Sequence, residues 1–282
     1  MSRILCNFLV SLDVLGKSIR LVIQIKPCFC GVFFLTIFCN SMNLWLRIGL
    51  YYIMALFFTI LIAGVQQESG FTTPETVILP QLGPGIAAAL MLIFFKKDRF
   101  PLQFSLSGVS FRRYFLVILL PSAALFAIFW AYNLLVEPLP ARFPLFSEIP
   151  LILAGMFLGA FGEEIGWRGY LQRLVEDRKS RMIAVLVVGA LWGLWHVGNF
   201  QNGVLYVAYF LLFSTGASGI MAYVFGSLRY NVILAALFHV VLNCGYFVMK
   251  AALPDARFML VNGCVWMLVW GAVLAAERRF EQ

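Results

Sequence analysis

Eight long apolar runs divide this chain, and they limit its fold more than any other feature of the sequence. They cover residues 46–65, 77–95, 114–135, 149–171, 182–197, 204–225, 232–249 and 258–276. A helix that crosses a bilayer needs about 20 mostly apolar residues. Because 62% of the 282 residues are hydrophobic and only 12% are charged, a soluble fold could not cover this much apolar surface. We therefore predict an all-α, polytopic membrane protein with about eight transmembrane helices.

The second run carries two prolines, Pro80 and Pro84. Proline lacks a backbone N–H and clashes with the preceding helical turn. We therefore expect a kink or a break in the second helix.

The first 41 residues do not follow the pattern of long runs. Their apolar stretch at 29–38 is too short to span a bilayer, and Met42 stands just before the first long run. We interpret residues 1–41 as an N-terminal extension upstream of the native start. Residues 42–282 then form one integral-membrane domain, with its motif core at about 149–250.

Basic residues favour every second loop. The first loop holds Glu68, Glu75 and no base, whereas residues 96–113 hold five bases and residues 172–181 hold four. Cytoplasmic loops of membrane proteins carry an excess of Lys and Arg. We therefore expect both chain ends in the cytoplasm and the protein in the inner (plasma) membrane. The protein has a net charge of +8, and we expect its basic loops to lie at the lipid bilayer and not to bind a nucleic acid.

Two acids and both histidines of the chain lie inside apolar runs, where lipid makes them costly. They are Glu163 and Glu164 in the fourth run, His196 in the fifth and His239 in the seventh. A charged side chain at bilayer depth costs at least ~2.5 kcal/mol, so such residues usually face a cavity or a partner. We therefore predict an active site within the helix bundle.

The spacing of neighbouring residues agrees with this prediction. Arg168 follows Glu164 by four residues and Asn243 follows His239 by four, so each pair shares one helix face. Small-xxx-small pairs, which let helix backbones approach closely, occur at glycines 155 and 159, 162 and 166, and 189 and 193. Tight packing of these helices would preorganise a site.

The residue types indicate hydrolysis by an activated water molecule. Two adjacent carboxylates in a low dielectric resist both being charged. Arg168 would hold Glu164 ionised, which leaves Glu163 free to act as a general base on water. One histidine can share that proton or position the water, and His239 with Asn243 can donate to a developing oxyanion. This set suits water attack on an amide.

Three motifs resemble those of the CAAX-protease and bacteriocin-processing family of intramembrane proteases. That family is marked by EExxxR, an aromatic-xxxH motif and HxxxN or HxxxH on successive helices. Here they read Glu163-Glu164-xxx-Arg168, Trp192-xxx-His196 and His239-xxx-Asn243. The family often has Phe where this chain has Trp192. The resemblance covers roughly residues 150–250.

The resemblance implies a membrane endopeptidase whose substrate is a peptide or protein, prenylated for some members of the family. It implies that Glu163 and His196 activate water and that His239 and Asn243 stabilise the oxyanion. The remaining motif residues, Glu164 and Arg168, would shape the site.

Metal dependence is a separate question for this family, which was long described as zinc-dependent. A metal-free glutamate mechanism agrees better with these residues, so no cofactor is expected. If zinc is used instead, Glu163, His196 and His239 would be its ligands. Arg168 would oppose such a cation.

Simpler interpretations stay open at each position. The glutamates could be a solvated cytoplasmic helix end, the histidines packing residues and Arg168 an ordinary positive-inside charge. Asn243 could bind a neighbouring helix. Packing or interfacial roles are the ordinary interpretation of three tryptophans, Trp167, Trp192 and Trp195.

Two other functions also remain. One is a non-catalytic membrane scaffold or bacteriocin self-immunity protein in which the motifs persist as structure. The other is a proton-coupled transporter with a buried Glu-His relay.

Overall fold

A short β-ribbon precedes the helices in the computed structural model, which describes residues 8–15, 18–25, 42–70, 79–95, 100–141 and 143–280. Strands β1 (Phe8–Leu15) and β2 (Ser18–Ile25) pair antiparallel, with Phe8 opposite Ile25 and Leu15 opposite Ser18. The ribbon lies within the predicted N-terminal extension. The apolar stretch at 29–38 lies outside the described residues.

An all-α bundle begins at Leu44. Its helices are α1 (Leu44–Ser69), α2 (Gly83–Phe94), α3 (Phe111–Leu135), α4 (Ile149–Glu164), α5 (Arg173–Glu176), α6 (Arg181–Trp195), α7 (Val204–Gly226), α8 (Val232–Val248) and α9 (Ala256–Phe280). Short 3-10 segments precede α2 (Leu79–Leu82), α7 (Val197–Asn202) and α9 (Lys250–Ala252). The predicted all-α, polytopic class is confirmed.

Within the described parts of the chain, five helical segments are long and apolar enough to cross a membrane. They are Leu44–Ser69, Phe111–Leu135, Ile149–Glu176, Val204–Gly226 and Ala256–Glu277. The other three predicted runs form shorter apolar helices, at Leu79–Phe94, Arg181–Trp195 and Val232–Val248. Large apolar side chains on the outer faces are exposed, as at Ile53 (65%), Phe126 (66%) and Leu268 (73%). Lipid is the solvent that suits such a surface.

The break predicted in the second run is present. Leu79–Leu82 forms a 3-10 turn, and α2 then begins with Pro84 in its first turn, where proline costs no hydrogen bond. Gln81 lies in this 3-10 turn, so its polar side chain does not take the direction that a continuous α-helix would give it.

The helices that carry the motifs pack together closely. α8 packs against α3 and α4, and α7 packs against α6 and α9. A Cβ atom at Gly162 would lie 2.9 Å from Leu82 Cα, and one at Gly189 would lie 2.6 Å from Thr215 Cα. Any side chain at these glycines would push backbones apart. The close approach predicted from the small-residue pairs is confirmed at both positions.

The fourth run does not stay α-helical. After α4, Ile165–Gln172 forms a π-helix, and α5 completes a continuous segment that ends at Glu176. Every residue of the π-helix except Ile165 is buried. π-helical turns are rare and frequently occur at functional sites. This one starts directly after the two glutamates.

Candidate active site

α4 delivers two adjacent carboxylates to the interior of the bundle. Glu163 and Glu164 are its last two residues, and neither exposes any surface. The interpretation of this pair as a solvated helix end is therefore wrong. Because buried charges are costly unless they are paired and hydrogen-bonded, their contacts show what the site can do.

Glu164 joins two other predicted residues. Its Oε1 accepts a hydrogen bond of 3.1 Å from Arg168 Nη1 and one of 2.8 Å from His239 Nδ1. Arg168 is 1% exposed, and its Nη2 donates to Ser218 Oγ on α7 at 3.0 Å. Arg168 is thus a buried partner of the carboxylate and not an ordinary loop charge. The π-helix and α8 meet α4 at this one carboxylate, and α7 joins them through Arg168.

Glu163 is held by two donors that the sequence did not reveal. Gln81 Nε2 donates to Oε1 at 2.7 Å, and Trp192 Nε1 donates to Oε2 at 2.7 Å. Trp192 therefore does more than pack. Gln81 reaches the carboxylate across α4 at Gly159, where a Cβ atom would lie 1.9 Å from Gln81 Oε1. The signal that could have found Gln81 is a polar side chain near two prolines inside an apolar run.

His196 lies one residue beyond the end of α6, so the prediction that it stands inside a helix is wrong by one position. Its Nδ1 is 2.8 Å from the Trp192 carbonyl oxygen. Because a carbonyl can only accept, Nδ1 carries the proton and the neutral ring keeps a lone pair on Nε2. The rings of Trp195 and Phe210 flank the imidazole, each with its centroid 4.9 Å away.

Trp192 links all parts of the site. Its ring lies 4.4 Å from the Arg168 guanidinium carbon, a cation–π distance. It also meets the ring of His239 edge to face at 5.4 Å. Since its indole N–H binds Glu163, one side chain contacts the arginine, a histidine and a carboxylate. Trp167, by contrast, packs against Tyr51 and Trp195, as predicted for a structural tryptophan.

A cavity of about 270 Å³ lies beside these residues. Its wall includes Trp192, His196, His239 and Asn243, so three predicted site residues face one space. The two glutamates do not line the cavity; they reach its wall through hydrogen bonds to Trp192 and His239. Two histidine rings and a carboxamide can therefore meet a ligand directly, with the carboxylates behind them.

The donor set does not have the arrangement that zinc prefers. Glu163 would be a ligand, yet both its oxygens accept hydrogen bonds. His239 Nδ1 donates a hydrogen bond to Glu164 and is thus not free to bind a metal, and Arg168 places a fixed positive charge within the same cluster. Among the residues that the structure describes, no three His, Cys, Asp or Glu side chains form a group that could hold a metal ion.

The structure is that of an integral membrane protein. It is an all-α bundle with helices of membrane length, and it buries a Glu-Glu-Arg-His cluster beside a cavity. Residues 144–245 match the family model described as type II CAAX prenyl endopeptidase, Rce1-like. This stretch contains all six predicted site residues. The predicted resemblance to the CAAX-protease family is confirmed over these residues.

Curated relatives match part of this chain. Lysostaphin resistance protein A of Staphylococcus haemolyticus strain JCSC1435 is 30% identical over 141 residues, which are 48% of this chain and 39% of that protein. Lysostaphin resistance protein A of Staphylococcus aureus strain Newman is 28% identical over 170 residues, 58% of this chain and 40% of that protein. The matches thus span about two fifths of the length of these relatives.

Proposed function

We propose that this chain is an intramembrane endopeptidase that hydrolyses peptide bonds with water activated by Glu163 and His196. The observation that carries the proposal is the convergence of α4, the π-helix, the end of α6 and α8 on one buried cluster beside a cavity. The family match over residues 144–245 supports the same reaction class.

His196 is the base on the cavity wall in this mechanism. Its Nδ1 proton is engaged by the Trp192 carbonyl, so the Nε2 lone pair is free to take a proton from water. The water oxygen bonds to the carbonyl carbon of the substrate, and the proton passes to His196. Glu163 is an electrostatic neighbour of both histidines and stabilises the imidazolium that forms. The proton then moves to the amide nitrogen as the C–N bond breaks.

His239 and Asn243 stabilise the oxyanion. Glu164 fixes the His239 ring through Nδ1, which leaves Nε2–H of the protonated ring to donate to the substrate oxygen. The Asn243 carboxamide lies on the same wall of the cavity, one helical turn further along α8. Arg168 pairs with the Glu164 carboxylate at 3.1 Å and holds it in place, so that the ring stays oriented. The mechanism needs no metal ion.

Peptide cleavage by the purified full chain in liposomes tests the proposal. The panel contains prenylated and unprenylated peptides, with and without a chelator. Glu163→Gln and His196→Ala should abolish cleavage, whereas Glu148→Gln, the same change at an exposed site beside α4, should not. Cleavage that persists in both site variants would contradict the assignment. Loss of wild-type cleavage with chelator would contradict the metal-free mechanism.

A non-catalytic membrane resistance protein is the second candidate function, because the curated relatives carry the name lysostaphin resistance protein A. In that function the cluster serves only to hold the bundle together. Expression of wild type and Glu163→Gln in a lysostaphin-sensitive staphylococcus separates the two. Resistance that both versions confer equally favours the scaffold. Resistance that Glu163→Gln loses, while the protein still accumulates in the membrane, favours catalysis.

The inner (plasma) membrane is the proposed location, since five of the helices that the structure describes have the length and composition of membrane spans. Substrates in this setting are peptides or proteins at the membrane, with or without a prenyl group.

A further inference from the structure

The two ends of the bundle differ in charge. One end, here called the basic end, is formed by the connections from α2 to α3, α5 to α6 and α7 to α8. Hydrogen bonds join them: Asn231 Nδ2 donates to Ser105 O at 2.8 Å, and Arg173 Nη1 to Pro101 O at 2.6 Å. Its described bases are Arg112, Arg113, Arg173, Arg178, Lys179, Arg181 and Arg229, against the acids Glu176, Asp177 and Glu277. This end therefore carries a clear positive excess.

The opposite end, here called the open end, is formed by the connections from α3 to α4, α6 to α7 and α8 to α9. Tyr132 Oη donates to Asp255 Oδ2 at 2.8 Å, and Arg257 Nη2 to Glu137 Oε1 at 2.8 Å, which ties the first connection to the third. In sequence its acids, with those of the connection from α1 to α2, are Glu68, Glu75, Glu137, Glu148 and Asp255, and its bases are Arg142, Lys250 and Arg257. The open end therefore has no positive excess.

The cavity beside the motif residues reaches the open end. Its wall continues from His196 into the 3-10 segment at Asn199, Gln201 and Asn202, and across to Pro254. Gln201 and Pro254 are exposed, so they form its rim. The rim is closed on one side by Tyr206, whose hydroxyl donates to the Leu253 carbonyl at 2.8 Å.

We propose that the cavity opens on the extracytoplasmic side of the membrane and takes a peptide segment presented at that face. Membrane proteins keep their basic loops in the cytoplasm, which puts the basic end inside and the open end outside. That the ligand is a peptide rests on the proposed function. The side of the membrane on which the cavity opens follows from charge and cavity position alone. A prenylated C-terminus in the cytoplasm would meet the wrong end of the bundle.

The chemistry of the wall suits a peptide backbone. Carboxamides at Asn199, Gln201, Asn202, Asn243 and Asn262 line it. Each carboxamide offers both donors and an acceptor, as the N–H and C=O groups of an extended peptide require. Aromatic rings of Tyr206, Phe210, Phe213 and Tyr246 fill the spaces between them and can pack against apolar side chains. The site thus favours an internal stretch of chain.

Cysteine labelling of the full-length protein in intact cells tests the sidedness. Ser147→Cys at the open end and Ser227→Cys at the basic end are the same change at two exposed residues, and Gln201→Cys reports on the rim. The parent chain with its native cysteines sets the background for a membrane-impermeant maleimide. We expect Ser147→Cys and Gln201→Cys to label in intact cells, and Ser227→Cys to label only after permeabilisation. Labelling of Ser227→Cys in intact cells, or of Ser147→Cys only after permeabilisation, overturns the proposal.

A paired cleavage assay separates this inference from the proposed function. One single-span reporter carries a cleavable peptide just outside the membrane, and a second carries it just inside. We expect cleavage of the outer reporter alone, lost in Glu163→Gln. Cleavage of the inner reporter alone would overturn the sidedness. If labelling places the open end outside and neither reporter is cut in any variant, the sidedness stands and the protease assignment loses its support.

Discussion

The indole nitrogen of Trp192 lies 2.7 Å from Oε2 of Glu163 and joins the end of α6 to the end of α4. A hydrogen bond to a charged group contributes about 1.5–3 kcal/mol. Trp192→Phe keeps an aromatic ring beside His239 but cannot donate. We expect this variant to lose about that much stability, seen as a lower Tm in detergent, and to lower kcat without abolishing cleavage, because Glu163 keeps only one of its two donors. Trp45→Phe, at an exposed site, is the matched control. An unchanged Tm would mean that the bond adds nothing.

Glu164 is the acceptor shared by Arg168 and His239, so Glu164→Gln should be far more harmful than Glu148→Gln. The variant leaves a buried arginine without a counter-charge, at a cost of about 3–5 kcal/mol. The double variant Glu164→Gln with Arg168→Met removes both charges. We expect it to be more stable than Glu164→Gln alone, which a double-mutant cycle on unfolding would measure. Additive losses would mean that the two charges do not interact.

Gln81 positions Glu163 without touching the cavity, and the structure offers two ways to disturb it. Gln81→Leu removes the donor. Gly159→Ala displaces the same amide, since its Cβ atom would lie 1.9 Å from Gln81 Oε1. We expect both to lower kcat by up to about 10²-fold with little change in KM, because only the alignment of the carboxylate is lost. Gly64→Ala, which has open space around it, is the control. A rise in KM alone would indicate a binding role instead.

Acid should loosen the open end of the bundle at Asp255. The hydrogen bond from Arg257 holds the pKa of this carboxyl below its usual range, and Tyr132 adds a second donor. A depressed folded pKa contributes stability that is present above the unfolded pKa of about 4 and is lost as the pH falls through the folded value. Tm should therefore fall more steeply for wild type than for Asp255→Asn as the pH drops below about 4. Parallel profiles would rule out this linkage.

The parts of the site that lie within one helix could be predicted from the sequence. Glu164 with Arg168 and His239 with Asn243 are four residues apart, and helix geometry alone puts each pair on one face. Their meeting at one place was expected from the cost of burying polar groups in lipid, and the structure brings Arg168 and His239 to the same oxygen.

The parts that depend on where helices end could not be predicted. The bond from Gln81 to Glu163 spans 82 residues and requires a 3-10 turn whose direction the prolines do not specify. His196 follows the last residue of α6, a difference of one position that hydropathy does not resolve. The partner of the Trp192 indole was equally hidden, since a motif gives the residue type and not the direction of its N–H.

The π-helix at Ile165–Gln172 decides which changes of chain length this segment can tolerate. Its hydrogen bonds close five residues apart, so deleting one residue, such as Gly169, would let the segment become an ordinary α-helix. The rotation per residue would change with the hydrogen-bond pattern, so the residues after the deletion would turn relative to α4. Glu176, whose carboxylate is hydrogen-bonded to Tyr230 at the basic end, would then face elsewhere. Substitutions can accumulate on the lipid-facing sides of this protein, but insertions and deletions between Glu164 and Glu176 should be selected against.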